Sequence, residues 1–126
     1  MKAIILAAGR GTRLGQLTDK KPKCLLKIGE TNILNIQINQ FIQNNIKQIF
    51  VVSGHCSDQI QSSKITKINN DEYASTNMVY SLIKARKYLD DDIIISYGDI
   101  IYDQRILRGL ILDSNKDLIV SDKNWK

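Results

Sequence analysis

Short, wholly apolar runs alternate with segments of helical spacing along this chain, and that alternation restricts the fold more than any other feature. Lys2–Ala7, Gln48–Ser53 and Asp92–Tyr97 are continuous apolar runs, each closed by a glycine within two residues, as strands buried on both faces are. Lys64–Asn69 alternates as a further strand, and Asp117–Ser121 reads as a fifth. Between them, Leu34, Ile38, Phe41 and Ile42 recur at helical spacing from Asn32 to Asn44–Asn45, with Thr31 as the expected N-cap. A short helix is expected over Ser57–Ser62. A longer one is capped by Ser75 or Thr76, with Val79, Leu82, Ile83, Arg86 and Leu89 on one side, and Asp103–Leu112 forms the last. Strand and helix in strict alternation predict an α/β fold with a parallel sheet and right-handed crossovers. Ligands of such sheets bind at the carboxyl ends of the strands. The Ala7–Gly15 loop, the Ser53–Gly54 turn and the Gly98–Asp99 turn therefore share one rim.

Charge narrows the choice of ligand. The chain has 126 residues and a formal charge of +5, but residues 1–27 carry seven bases against Asp19 alone, a net +6. The other 99 residues sum to −1, so the chain is not generally basic. A basic segment without aromatic interleaving argues for a small anion and against nucleic acid. The apolar run Ala3–Ala8 is too short for a signal peptide and is followed at once by Arg10 and Arg13. No stretch approaches the ~18 apolar residues that span a bilayer. Cys24 and Cys56 form neither a metal spacing nor a disulfide framework, which suits a reducing, cytoplasmic setting.

The loop Leu6-Ala-Ala-Gly-Arg-Gly-Thr-Arg-Leu-Gly15 sits on that rim. Its glycines miss the dinucleotide fingerprint by one residue, and it lacks the Gly-Lys-Ser/Thr ending of a P-loop. Gly9 and Gly11 still allow close backbone approach to a phosphate, while Thr12, Arg13, Lys20, Lys21 and Lys23 add a hydroxyl and positive charge. The pattern describes a polyphosphate cradle; its bland alternative is a solvated strand-to-helix turn. Asp99, at the end of an isoleucine-rich strand, is either a metal ligand or a helix cap, with the ligand favoured. Asp103 reads as a helix cap, Asp90–Asp92 as a solvated helix end, His55 as a turn residue, and Tyr73, Tyr80 and Tyr97 as core or rim aromatics.

Met1–Leu14, followed by Lys21-Pro-Lys-Cys-Leu-Leu26, closely resembles the opening of nucleotidyltransferases that activate sugar 1-phosphates or phosphocholine. Asn70–Leu82 looks like the phosphocholine and aminoethylphosphonate cytidylyltransferase branch, and Ser96–Asp103 is similar to the family's Gly-Asp metal turn. The resemblance implies a Rossmann-like, mostly parallel sheet with helices on both faces, as in nucleotide-diphospho-sugar transferases. It implies that Leu6, Ala7, Ala8 and Gly9 hold base and ribose, that Gly11, Thr12 and Arg13 hold the triphosphate, and that Lys23 stabilises the α-phosphate. Thr76 and Asn77 would complete the pocket, and Asp99 would ligate Mg²⁺. The expected partners are a nucleoside triphosphate, CTP before others, and a small phosphorylated acceptor such as phosphocholine or a sugar 1-phosphate; a homo-oligomer is left open. The family's domain is longer than 126 residues, and Ser121–Lys126 reads as mid-domain. Residues 1–126 are thus expected to be the N-terminal, nucleotide-binding part of one domain, cut short of its acceptor-binding part. The alternative is a nucleotide-binding remnant without turnover that needs a partner.

Overall fold

A computed structural model describes residues 1–115 and 117–124; Lys116, Trp125 and Lys126, the last two closing the segment read as mid-domain, lie outside the described residues. The strands are β1 (Lys2–Ala7), β2 (Lys27–Ile28), β3 (Thr31–Asn32), β4 (Gln48–Ser53), β5 (Thr66–Asn69) and β6 (Ile93–Tyr97). The helices are α1 (Ile33–Gln43), α2 (Met78–Lys84) and α3 (Gln104–Leu112). Four strands form one sheet in the order β5-β4-β1-β6, every neighbouring pair parallel. β2 and β3 form a separate antiparallel pair.

Side chains of a strand alternate between the two faces of its sheet, and here each face has its own core. Ala3 and Ile5 of β1 join Ile49 and Val51 of β4 beneath Leu34, Ile38 and Phe41 of α1 and Leu107 of α3. Ile4 and Leu6 join Phe50 and Val52 on the opposite face, against Ala85 and, at the margin, Leu82 and Tyr88. Helices therefore cover both faces, as expected of the Rossmann-like class. No helix among the described residues is long and apolar enough to cross a membrane.

Some local expectations are corrected. The N-cap of α1 is Asn32, whose side chain accepts from Asn35 N at 2.8 Å, and Thr31 instead pairs in β3. The N-cap of α2 is Asn77 in place of Ser75 or Thr76, because Thr76 already bonds within the preceding turn. Of the face expected to be buried, Leu82 packs at the margin of the core, but Val79, Ile83 and Leu89 are exposed; Ser81 and Ala85 are the buried residues of this stretch. Ser57–Gln59 forms a single 3-10 turn where a helix to Ser62 was expected. Residues 117–121 form no strand: Asp117 has a φ of +56°, and Ile119 is 93% exposed. The apolar trio Leu118–Val120 has the composition of a strand but no neighbour to pair with here. Asp103 is the N-cap of α3, as read from the sequence, accepting from Arg105 N at 2.8 Å.

Candidate functional site

Three parallel strands deliver three turns to one rim, and backbone bonds tie those turns together. His55 N donates to Ala8 O at 3.3 Å, and Gly98 N donates to Leu6 O at 2.8 Å. A Cβ at Gly98 would lie 2.8 Å from Ala7 Cβ, and one at Gly54 would lie 2.5 Å from Tyr73 Cβ. Both turns need glycine because the neighbouring chain passes so close.

The glycine-rich loop leaves β1 and turns at Gly11, whose φ of +68° lies in the left-handed region that favours glycine. A 3-10 segment, Thr12–Leu17, follows. Gly11 packs over Thr18 and the stem of Lys23, with a built Cβ 3.3 Å from Thr18 Cγ2 and 3.5 Å from Lys23 Cβ. Gly9 has open space where a Cβ would stand. Beside it lies a pocket of about 280 Å³ lined by Leu6, Ala8, Gly9, Thr76 and Asn77, together with Tyr73, Met78 and Ser81. The structure thus brings five residues expected at the site into one pocket. Ala7 points to the other side of the sheet and offers backbone alone.

The remaining expected residues lie outside that pocket. Lys23 Nζ and Asp99 Oδ2 form an ion pair at 2.6 Å, which joins the segment after the glycine loop to the turn after β6. Both side chains are about one-third exposed, so the pair adds little to stability; its importance is that it sets a positive and a negative group side by side at the rim. The helix-cap alternative for Asp99 fails, since α3 begins at Gln104 and is capped by Asp103. Thr12 and Arg13 are exposed on the loop.

The basic N-terminal segment does not form one patch. Lys2 begins β1, at the far end of the sheet, and pairs with Asp90. Asp91 likewise binds the N-terminal amine; Asp90 and Asp91 are exposed, as expected of a solvated helix end, and also serve as ion-pair partners. Arg10 stands 4.0 Å from Asp19, while Lys21 and Lys27 line a separate polar depression with Glu30. Lys23 is the basic residue of this segment that packs against Gly11 and pairs with Asp99.

Three buried polar residues that sequence reasoning missed hold this rim. Gln37 of α1 is fully buried; its amide donates to Tyr97 O and Ile100 O at 2.8 Å each, and its carbonyl accepts from Ser96 Oγ at 2.8 Å. It thereby fixes the backbone on either side of Asp99. Asn70, also fully buried, donates to Thr76 Oγ1 and Ser81 Oγ at 3.1 Å and accepts from Glu72 N at 3.1 Å, shaping the far wall of the pocket. His55 is the third. The one available signal was a polar side chain at a helix position facing the core, as Gln37 is between Leu34, Ile38 and Phe41.

Charges near the pocket are partly neutralised. The Tyr80 hydroxyl bonds Glu72 and, with Lys84 3.6 Å away, holds its carboxyl below the usual carboxylate range. No cluster of three or more His, Cys, Asp or Glu side chains that could hold a metal occurs among the described residues. Asp99 nevertheless fits a divalent cation that arrives with phosphates, since Mg²⁺ is commonly held by one or two carboxylates plus substrate oxygens and water.

A family profile, the MobA-like NTP transferase domain, matches residues 3–124. The chain is 35% identical to CTP:phosphoglutamine cytidylyltransferase from Campylobacter jejuni, over 99% of this chain and 54% of that protein. It is 32% identical to choline-phosphate cytidylyltransferase from Streptococcus pneumoniae, over 81% of this chain and 46% of that protein. The solved structure of CTP:phosphocholine cytidylyltransferase from Streptococcus pneumoniae superposes with a TM-score of 0.73 at 33% identity, covering 78% of this chain and 44% of that one. The chain spans about half the length of the curated relatives it matches.

Proposed function

Because the chain belongs to the MobA-like NTP transferase domain family, we propose that it is the nucleotide-binding part of a nucleotidyltransferase that couples a nucleoside triphosphate to a small phosphomonoester. One observation carries the reading: the pocket beside Gly9 and the Lys23–Asp99 pair are both built by segments that follow strands of one parallel sheet, on its carboxyl rim. CTP is the favoured nucleotide, and a phosphocholine-like alcohol phosphate or a sugar 1-phosphate the acceptor, since two relatives named above are cytidylyltransferases. Residues 1–126 are proposed to supply the nucleotide side of the site and not the acceptor side. The substrates are small cytoplasmic anions; nucleic acid is not a partner.

The chemistry asks for positioning and charge cancellation. A phosphomonoester oxygen attacks the α-phosphorus, a new P–O–P bridge forms, and the bond to the β-phosphate oxygen breaks to release pyrophosphate. The nucleophile is already an anion at neutral pH, so no general base is required. Leu6, Ala8, Gly9, Thr76 and Asn77 surround base and ribose, with Ala7 contributing backbone. Asn77 Oδ1 is engaged in capping α2, which leaves its amide N–H groups for the ligand. Gly11, Thr12 and Arg13 hold the triphosphate, and Lys23 exchanges Asp99 for the α-phosphate. Asp99, so released, is the residue that would hold Mg²⁺, whose charge offsets that of the pyrophosphate.

The test is pyrophosphate release with Mg²⁺, each nucleoside triphosphate in turn, and phosphocholine or a sugar 1-phosphate. Lys23→Ala is expected to lower the rate on the order of 100-fold, the usual cost of losing one donor to developing charge. Absence of nucleotide binding overturns the proposal. Binding without release selects the second reading, a nucleotide-binding module without turnover. That reading is favoured by the exposure of Ile95 and Tyr97 along β6, an apolar strip that a partner or further chain would cover.

A further inference from the structure

His55 follows Gly54 at the end of β4, and it is 7% exposed. Its backbone N–H donates to Ala8 O at 3.3 Å. Its ring Nε2 lies 2.5 Å from Thr18 O. Ala8 precedes the loop glycines and Thr18 closes the 3-10 segment after them, ten residues apart, so a single residue of the turn after β4 grips both ends of this stretch. A carbonyl oxygen can only accept, so Nε2 must carry the proton in this contact. From Thr18 the chain of bonds continues inward: its hydroxyl donates to Gly11 O at 2.8 Å, and Thr18 itself is 1% exposed. His55 therefore reaches Gly11, the residue whose left-handed turn aims the loop, through one intermediate. The ring also has the Tyr73 ring centroid 5.9 Å away and Cys56 Sγ 3.5 Å from Nε2.

We propose that His55 is a positioning residue that clamps the glycine-rich loop closed from its two ends, holding Gly11–Arg13 in the shape that receives a triphosphate. The clamp itself rests on the geometry; its effect on nucleotide affinity rests on the nucleotidyltransferase reading. His55 touches no reacting atom in this role. It lowers the cost of ordering the loop on ligand, as preorganisation does. The structure assigns the work to one proton, on Nε2, and this separates the clamp from simple filling of space.

Three substitutions in the full chain test it. His55→Gln places an amide N–H where Nε2 stood, whereas His55→Phe keeps the ring and removes the donor. His55→Asn, whose amide stops short of Thr18, replaces the phenylalanine variant if that one does not fold. The first readout is hydrogen exchange of amides in residues 9–18, which needs no ligand. Loop exchange is expected to rise about tenfold in the donor-less variant, the scale of one net hydrogen bond, and to stay within about threefold of the parent in His55→Gln. Exchange within β1 stays unchanged. The second readout is nucleotide affinity, which falls about tenfold in His55→Phe and recovers in His55→Gln, with the KM of the acceptor unmoved wherever turnover is measurable. Equal loop protection in all variants overturns the clamp, and so does failure of His55→Gln to restore protection at an unchanged Tm. If the parent chain binds no nucleoside triphosphate, the nucleotidyltransferase reading falls, while the exchange comparison still decides the clamp.

Discussion

β1 and β6 lie side by side in the same sheet, yet their surroundings differ on one face. In β1, Ala3 and Ile5 are enclosed beneath α1 and α3, and Ile4 and Leu6 beneath α2. In β6, Ile94 and Ser96 pack toward α1, but Ile95 and Tyr97 on the opposite face are 47% and 48% exposed. β6 is also an edge, with one row of backbone groups unpaired among the described residues. The other edge, β5, carries Lys67 and polar neighbours, a composition that discourages further pairing. The difference teaches that the rim does not depend on the bare face. Gln37 holds the Asp99 turn from the covered side, and the glycine loop is held from β4. The rim is held by bonds from the covered side even where the sheet is not enclosed.

The largest effect expected from this contrast lies in the central strand. Ile5→Ala removes a fully buried side chain from the larger core and is expected to cost about 2–5 kcal/mol in urea unfolding. A cost below about 1 kcal/mol would show that β1 is no better enclosed than β6. Next comes Gln37→Leu, similar in size but unable to bond. It leaves buried Ser96 Oγ and the part-buried Tyr97 O and Ile100 O without their Gln37 partner, and an unsatisfied buried group costs about 1–3 kcal/mol. If the variant is as stable as the parent, the Asp99 turn is held by something other than the covered face.

The thiols give a smaller, pH-dependent contrast. Burial pushes the Cys24 thiol up from 9.0 to about 12, against a weaker lowering by a backbone hydrogen bond. Between those values the unfolded chain releases this proton and the folded chain keeps it, so stability falls as pH rises from about 9 toward 12. Alkylation of the native protein near pH 8 is expected to label half-buried Cys56 and spare Cys24 until the chain unfolds. Mass spectrometry of the peptides reads this directly, and early labelling of Cys24 would mean that the core beneath α1 opens locally.

How much of this was legible depended on the range of the interaction. β1 and β4 were readable to the residue because an apolar run between polar ends is a local signal, and the shared rim followed from the parallel order. Leu6, Ala8, Gly9, Thr76 and Asn77 line one pocket and were grouped by resemblance to known sequences, a grouping that composition cannot supply. Other features were set by distant partners. Val79 and Ile83 have the spacing of a buried helical face, but α2 meets β1 and β4 with its other side, where Ser81 is buried, so they stay exposed. Leu118–Val120 have the composition of a strand, but pairing decides whether a strand forms. Gln37 and His55 look unremarkable until the backbone carbonyls they bind, up to 63 residues away, come within reach.

The smallest expected effect is the sharpest test of the bare face. Ile95→Thr keeps the β-branch that suits a strand and removes little buried apolar area, because the side chain is already half in solvent. Its cost in the chain alone is expected to lie within about 0.5 kcal/mol, as for surface substitutions generally. A threonine in place of Val51, fully buried in β4, would put a hydroxyl in the core and cost far more. If Ile95→Thr instead destabilises by more than about 1.5 kcal/mol, Ile95 is covered in solution. Repeating the measurement at tenfold lower protein concentration then separates the sources of cover: a penalty that disappears on dilution belongs to self-association across β6, and one that persists belongs to the chain's own residues.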